Sequence, residues 1–193
     1  MPEGRATSLH EVDWSKLPAP RDDGAARHLE GSLLPALALP ATDGTAVSLS
    51  ALPGLTVLYA YPMTGRPGVA LPEGWDAIPG VRGCTPQSCA FRDHYADLLA
   101  AGADRVYGLS TQGTTDQRET AGRLHLPFPL LSDAALRLTT ALRLPVMLVG
   151  GATLLKRMTL IIVDGAIAHV FYPVFPPDRN AVEVLDWLRA RRG

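Results

Sequence analysis

The fold of this chain is decided by residues 56–61, which read TVLYAY and are closed by Pro62. A continuous apolar run of this length, rich in β-branched and aromatic residues, is typical of a strand that is buried on both faces. Such strands pair in parallel with neighbours that are reached through crossover helices. The run therefore predicts a central strand of an α/β protein.

Outward from this strand, the residue pattern predicts a hairpin followed by the order β-α-β-α-β-β-α. Asp43-Gly44 favours a turn between short strands at 37–39 and 46–49. The other expected elements are a helix over 84–101, a strand over 105–110, a helix over 116–125 capped by Asp116 and Glu119, a short helix ending at 142, strands over 158–163 and 166–172, and a helix over 180–191. This order predicts a thioredoxin-like fold, with a mixed central sheet flanked by helices and an N-terminal hairpin extension.

Two segments stand apart from these regular elements. Residues 1–30 are polar and rich in Pro, Asp and Gly, which predicts an irregular N-terminal arm in front of one domain over 31–193. Residues 63–82 form a long loop with many Gly and Pro residues, and ordered loops of that length are usually functional. Trp75 inside this loop is a candidate lid.

Composition and charge argue against several classes of function. The formal net charge of −1 gives no reason to expect binding to nucleic acid or to an anionic membrane. No segment approaches the roughly 18 apolar residues of a membrane span, and the first residues lack the apolar core of a signal peptide. We therefore expect a cytoplasmic protein. No paired metal spacing occurs among the five histidines, which are His10, His28, His94, His125 and His169.

The two cysteines of the chain, Cys84 and Cys89, lie in the stretch GCTPQSC at 83–89. A thiolate at the start of a helix is stabilised by the helix dipole and by free backbone N–H groups. A second thiol nearby can capture an oxidised form of the first. Because disulfides in cytoplasmic proteins tend to be transient and catalytic, the pair indicates redox chemistry, although free cysteines are also often simply buried.

Helical geometry separates the two thiols. Cys84 lies on the core-facing stripe of the helix with Phe91, Tyr95 and Leu98, whereas Cys89 is about 140° round and about 7.5 Å further along, on the side we expect to be more exposed. The Cβ atoms would be roughly 10 Å apart, and a disulfide requires about 4 Å. A Cys84–Cys89 bond therefore requires the first turns of the helix to unwind.

Four segments, taken together, resemble the peroxiredoxin family, and most closely its bacterioferritin-comigratory or Q type. They are GCTPQSC at 83–89, VYGLS at 106–110, LPFPLLSD at 126–133 and RMTLIIVDG at 157–165. The resemblance extends over about residues 32–190. It implies that Cys84 is the peroxidatic cysteine, that Cys89 is the resolving cysteine, and that Arg157 holds the peroxide and the thiolate.

The same resemblance is imperfect just before the peroxidatic cysteine. The family carries a proline and a threonine or serine at offsets of seven and three residues, where this chain has Ala77 and Val81. Pro62 and Thr64 look like the same element displaced by an insertion. They are therefore the candidate substrate-binding residues.

The activity implied by the resemblance is thiol-dependent reduction of hydrogen peroxide or organic hydroperoxides. The Cys84 thiolate would become a sulfenic acid, Cys89 would condense with it, and thioredoxin or a similar dithiol would reduce the disulfide. Neither metal, haem nor flavin is needed. The resemblance also implies a monomer or a weak homodimer.

Other interpretations fit some of the same residues. A thiol-disulfide oxidoreductase on this fold usually carries Cys-x-x-Cys, which is a narrower spacing. A non-enzymatic redox sensor would use the same helix unwinding as a signal to a partner protein, and a binding module would have retained the scaffold without the chemistry. Arg157 could be a surface arginine, and Arg82 could either stabilise the Cys84 thiolate or be a solvated loop charge.

Overall fold

The computed structural model describes residues 12–192 as an α/β fold. Its strands are β1 (Leu39–Pro40), β2 (Ala46–Val47), β3 (Leu55–Ala60), β4 (Arg105–Ser110), β5 (Leu130–Ser132), β6 (Val146–Val149), β7 (Ala152–Leu155), β8 (Met158–Val163) and β9 (Ala166–Phe171). Its helices are α1 (Cys84–Asp93), α2 (Tyr95–Ala100), α3 (Thr114–Arg123), α4 (Arg137–Leu142) and α5 (Asn180–Arg192). Short 3-10 turns cover Trp14–Lys16, Leu49–Ala51, Trp75–Ala77 and Pro177–Arg179.

The central sheet has five strands in the order β5-β4-β3-β8-β9. β3 pairs in parallel with β4 and antiparallel with β8, so the strand predicted from TVLYAY lies at the centre of a mixed sheet. Val57, Leu58 and Tyr59 have no exposed surface, because both faces of this strand are covered. The predicted fold class is confirmed, and β1 and β2 pair as the expected N-terminal hairpin.

Two apolar layers cover the two faces of the sheet. On one face, Val57 and Tyr59 pack with Phe91 of α1 and Leu188 of α5. On the other face, Leu58 packs in a cluster that includes residues of α4, of β1 and of the segment 26–34. The alternation of side chains along β3 divides these layers, as it must in a pleated strand. α1 and α5 are therefore neighbours on the face that carries Cys84.

Several elements differ from those expected. The single helix over 84–101 is interrupted at His94, which has φ −99° and ψ 9°, although backbone hydrogen bonds from His94 to Ala90 and from Leu98 to His94 continue on both sides of the break. Asp116 does not cap α3, because Gly113 adopts the extended cap conformation instead and places Asp116 in the first turn.

The β6–β7 hairpin was not predicted from the sequence. It pairs with itself rather than with the central sheet, and it packs on the long loop over 63–82 through a cluster of Trp75, Val81, Val149 and Leu154. The loop is therefore held against the body of the molecule at the end where β8 begins. Trp75 is 6% exposed and forms part of this cluster.

The predicted arm is described in part. Residues 1–11 lie outside the described residues, as does Gly193 at the end of the predicted domain. Asp13 accepts a hydrogen bond from the backbone N–H of Ser15 and so caps the turn at Trp14–Lys16. Within the described part of the chain, each helix is too short or too polar to cross a bilayer.

Candidate active site

Cys84 is the first residue of α1 and has 5% of its surface exposed. The residue before it, Gly83, has φ 107°, a left-handed conformation that favours glycine. The Gln87 N–H donates to the Gly83 carbonyl at 3.0 Å and so closes the first turn. The Cys84 thiol lies 3.6 Å from the Val81 carbonyl oxygen, to which it donates. The thiol is therefore held at the positive end of the helix.

Arg157 approaches this thiol from the residue before β8. Its Nη2 atom lies 3.3 Å from Cys84 Sγ and also donates to the carbonyl oxygens of Gly80, Val81 and Arg82 at 3.4, 3.2 and 3.2 Å. Arg157 is only 3% exposed, so the interpretation of a surface arginine is wrong. The chain brings together two predicted site residues that are 73 positions apart.

A buried amide network fixes the orientation of the guanidinium. Arg157 Nη1 donates to Gln87 Oε1, and Gln87 Nε2 donates to Asn180 Oδ1 at 3.0 Å. Thr159 Oγ1 donates to the same oxygen at 2.6 Å. Gln87, Thr159 and Asn180 have no exposed surface. Sequence reasoning missed all three, because only their spatial convergence from α1, β8 and α5 marks them.

A cavity of about 260 Å³ opens beside Cys84. Its wall includes the predicted residue Thr64. The other lining residues include polar Arg82 and Thr85 and the apolar residues Val12, Met63, Leu71, Trp75 and Val81. Trp75, proposed from the sequence as a lid, is thus a wall of the cavity. The contribution of Val12 shows that the N-terminal arm also reaches the site.

The two candidate substrate-binding residues occupy different positions. Thr64 is 3% exposed, and its hydroxyl lies 2.8 Å from Thr120 Oγ1 and donates to Gln112 Oε1 at 3.2 Å. Pro62 is buried and is not among the residues that line the cavity beside Cys84. The displaced loop therefore brings Thr64, but not Pro62, to the cavity wall.

Cys89 is itself buried, at 8% exposed against 5% for Cys84, although Asp93 and Ala96 on the same side of α1 are exposed, as expected. Arg92, on the same side of α1, donates through Nη1 to the carbonyl of Leu124 at 2.9 Å and so connects this side of α1 to the end of α3. Both cysteines are free thiols on one unbroken helix. This is the arrangement in which helical geometry keeps the sulfur atoms apart.

The surroundings of Cys89 make its ionisation testable. Burial, the largest cause, raises the pKa of the Cys89 thiol above its ordinary value; Arg92 lowers this pKa and Asp93 raises it. In a Cys84→Ser protein, Cys89 is the only thiol, so we expect its ultraviolet thiolate absorbance to appear at a higher pH than that of a free thiol. The Asp93→Asn change in that background should move the titration to lower pH. A titration at or below the ordinary pH would contradict the effect of burial.

Arg82 is the other charged candidate near the thiol, and it is among the residues that line the cavity. Its side chain is exposed and is paired with Asp76, while its backbone carbonyl accepts from Arg157. Arg82 is thus a solvated loop charge. In the part of the chain that the structure describes, no group of three or more His, Cys, Asp or Glu side chains could hold a metal ion.

Comparison with known proteins identifies relatives of this chain. A family model described as Redoxin matches residues 29–185. The chain is 33% identical over 163 residues to "Peroxiredoxin Q, chloroplastic" of Oryza sativa subsp. japonica. This alignment covers 83% of this chain and 67% of the relative. It is 33% identical over 176 residues to the protein of the same name from Triticum aestivum, in an alignment that covers 87% of this chain and 73% of the relative.

Solved structures share the fold. The crystal structure of peroxidoxin BcpB from Mycobacterium tuberculosis superposes with a TM-score of 0.68 at 28% identity, covering 86% of this chain and 100% of that chain. The bacterioferritin comigratory protein of Xanthomonas campestris gives 0.66 at 24% identity, covering 85% and 100%. At that identity the second likeness speaks for the fold alone.

Proposed function

This chain belongs to the redoxin family and, within it, to the Q-type peroxiredoxins, and from that premise we propose that Cys84 is the nucleophile of its peroxidase reaction. The protein is a thiol-dependent peroxidase, an oxidoreductase that reduces peroxides at the expense of a thioredoxin-type dithiol. The observation that carries the assignment to Cys84 is the buried Arg157 guanidinium 3.3 Å from its sulfur. The relatives favour this activity over a redox sensor or a thiol-disulfide oxidoreductase.

The first step oxidises Cys84. The thiolate sulfur attacks one oxygen of the hydroperoxide, the O–O bond breaks, and the leaving oxygen takes a proton to become water or an alcohol. Cys84 is left as a sulfenic acid. Arg157 and the N–H groups at the start of α1 stabilise the thiolate and the charge that develops on the leaving oxygen.

The second step joins the two cysteines. The first turn of α1 unwinds, the Cys89 sulfur attacks the sulfenic sulfur, and the sulfenic oxygen leaves as water. The external dithiol then reduces the Cys84–Cys89 bond, is itself oxidised to a disulfide, and returns both cysteines to thiols. Cys89 is thus the resolving cysteine of the cycle.

Substrate choice follows from the wall of the cavity. The apolar side chains of Met63, Leu71 and Trp75 lie where the organic group of a hydroperoxide would project from Cys84. The structure of the Xanthomonas campestris relative is described in connection with alkyl peroxide reduction. We infer that alkyl and aryl hydroperoxides are substrates, with Thr64 in the wall that they contact.

The test compares two peroxides in one coupled assay. NADPH consumption with thioredoxin and thioredoxin reductase should show turnover of both hydrogen peroxide and cumene hydroperoxide. Leu71→Asn should raise the KM for cumene hydroperoxide about fivefold, because burying an apolar side chain is worth roughly 1–2 kcal/mol, and should leave hydrogen peroxide unaffected. Val69→Asn is the matched control, since Val69 is 60% exposed in the same loop and does not line the cavity. An equal change for both peroxides would contradict the assigned pocket.

The same assay separates the enzyme from a sensor. An enzyme consumes many equivalents of NADPH per chain, whereas a sensor forms one Cys84–Cys89 bond and stops. A result of one disulfide without turnover, with an active control peroxidase in the same mixture, would overturn the proposed function.

The resemblance supports a monomer or weak homodimer, and light scattering over a range of concentrations tests the oligomeric state. The net charge of −1 supports a protein that binds neither nucleic acid nor anionic membranes. A cytoplasmic location is also proposed; the relatives from rice and wheat are described as chloroplastic, which concerns those proteins. Cell fractionation tests the location of this one.

A further inference from the structure

The N-terminal arm contacts the helix start that carries Cys84. Trp14 lies in the arm, outside the residues 29–185 that match the family model, and yet its ring meets the residue before the reactive cysteine. A Cβ built on Gly83 would lie 2.8 Å from Trp14 Cη2 and 2.5 Å from Pro177 Cγ. Gly83 is therefore enclosed between an indole ring and a proline ring.

Trp14 is anchored to the segment that leads into α5. Its Nε1–H donates to Asp178 Oδ2 at 2.9 Å, and its ring meets the edge of Phe175 with the ring centroids 6.1 Å apart. The two residues that hold the ring are 161 and 164 positions away in sequence, so the N-terminal arm is fixed near Cys84 by residues from the C-terminal part of the chain. The neighbouring Val12 lines the Cys84 cavity.

The contact involves the part of α1 that must open during catalysis. The Gly83 carbonyl accepts the first helical hydrogen bond, from Gln87 N–H at 3.0 Å. We expect unwinding of the first turn to break this bond and to move Gly83 away from the Trp14 ring. The ring therefore contacts the closed state and loses this contact in the open one, and such a difference in contacts shifts the equilibrium between the two states.

We propose that Trp14 is a positioning residue that holds the first turn of α1 closed and so sets the rate at which Cys89 resolves the Cys84 sulfenic acid. This rests on the proposed peroxidase cycle. Slower opening keeps the sulfenic acid in the cavity for longer, where a second hydroperoxide can oxidise it to the sulfinic acid while being reduced to water or an alcohol. The arm thus sets the balance between resolution and overoxidation.

The test measures both branches in Trp14→Ala. After one equivalent of hydrogen peroxide, we expect the Cys84–Cys89 disulfide to form roughly tenfold faster, as measured by rapid quenching and mass spectrometry. We expect overoxidation to need roughly tenfold more peroxide. Asp178→Ala should move both quantities in the same direction by less. Trp187→Ala is the matched control, because that half-buried tryptophan stacks on His169.

A second measurement does not depend on peroxidase activity. Hydrogen exchange at the Gln87 amide reports opening of the first turn in the reduced protein, and it should become about tenfold faster in Trp14→Ala but not in Trp187→Ala. Unchanged exchange in a folded Trp14→Ala and in Asp178→Ala would overturn the proposal. Faster exchange in Trp14→Ala, in a protein that shows no peroxide turnover, would support the role of Trp14 in holding the first turn closed and would contradict the proposed peroxidase function.

Discussion

We expect the Cys84→Ser variant to lose peroxide turnover by a factor of at least about 10³. A serine hydroxyl is not ionised near neutral pH, so neither Arg157 nor the helix start has an anion to stabilise. The serine side chain is nearly the same size as the buried cysteine side chain that it replaces, so the fold should be retained. NADPH consumption in the thioredoxin-coupled assay measures the loss, and a thermal melt checks the fold.

Cys89→Ser is the matched control for this change. The variant should still consume one equivalent of hydrogen peroxide and form a sulfenic acid at Cys84, which a dimedone adduct detects. It should fail to form the intramolecular disulfide and should turn over slowly with thioredoxin. If peroxide consumption survives in Cys84→Ser and not in Cys89→Ser, Cys89 would be the peroxidatic cysteine and Cys84 the resolving one.

The second large effect is expected at Arg157. We expect Arg157→Lys to lower the second-order rate constant for hydrogen peroxide about 10²-fold, which is the usual result of removing one donor to a developing negative charge. The guanidinium binds Cys84 Sγ, Gln87 and three backbone carbonyls at once. A lysine ammonium is a single point with three donors and does not span these positions.

Lys156→Ala is the control for the loss at Arg157. Lys156 is the adjacent residue, but its ammonium pairs with Asp23 Oδ2 at 2.6 Å, away from the thiol. The rate constant should change by less than about threefold, since the pair is partly exposed and surface pairs contribute little. Stopped-flow measurement gives the second-order rate constant with hydrogen peroxide for the reduced unchanged protein, for Arg157→Lys and for Lys156→Ala. A value for Arg157→Lys within threefold of the unchanged protein would mean that the guanidinium does not act on the reacting sulfur.

The elements that were predicted correctly are those with strong local patterns. TVLYAY at 56–61 predicts β3 because a short apolar run rich in β-branched and aromatic residues is typical of a strand buried on both faces. Strand β4 agrees at both ends with its prediction, and α5 differs by one residue. The break at His94 and the cap of α3 at Gly113 were missed, because several residues in each stretch satisfy the same local preferences.

The β6–β7 hairpin and the burial of Cys89 show a different limit. The hairpin has neighbours mainly in the loop over 63–82, and no local pattern says that this loop folds back on it. Cys89 is buried although Asp93 and Ala96 on its side of α1 are exposed, and Arg92 on that side binds the end of α3. Helical periodicity gives the direction of a side chain but not what lies in that direction.

By itself, the sequence determined the central strand, the order of the main elements, the pair of cysteines at the start of a helix and, through resemblance, the family. The same resemblance also predicted that Arg157 acts on the Cys84 thiolate. Only the tertiary structure decided that Arg157 lies 3.3 Å from Cys84, that Thr64 rather than Pro62 lines the cavity, and that Trp14 lies against Gly83. The reason is physical: hydrogen-bonding and apolar periodicities act over a few residues, whereas these contacts join positions up to 73 apart. They exist only when the sheet has formed and its covering elements have packed on it.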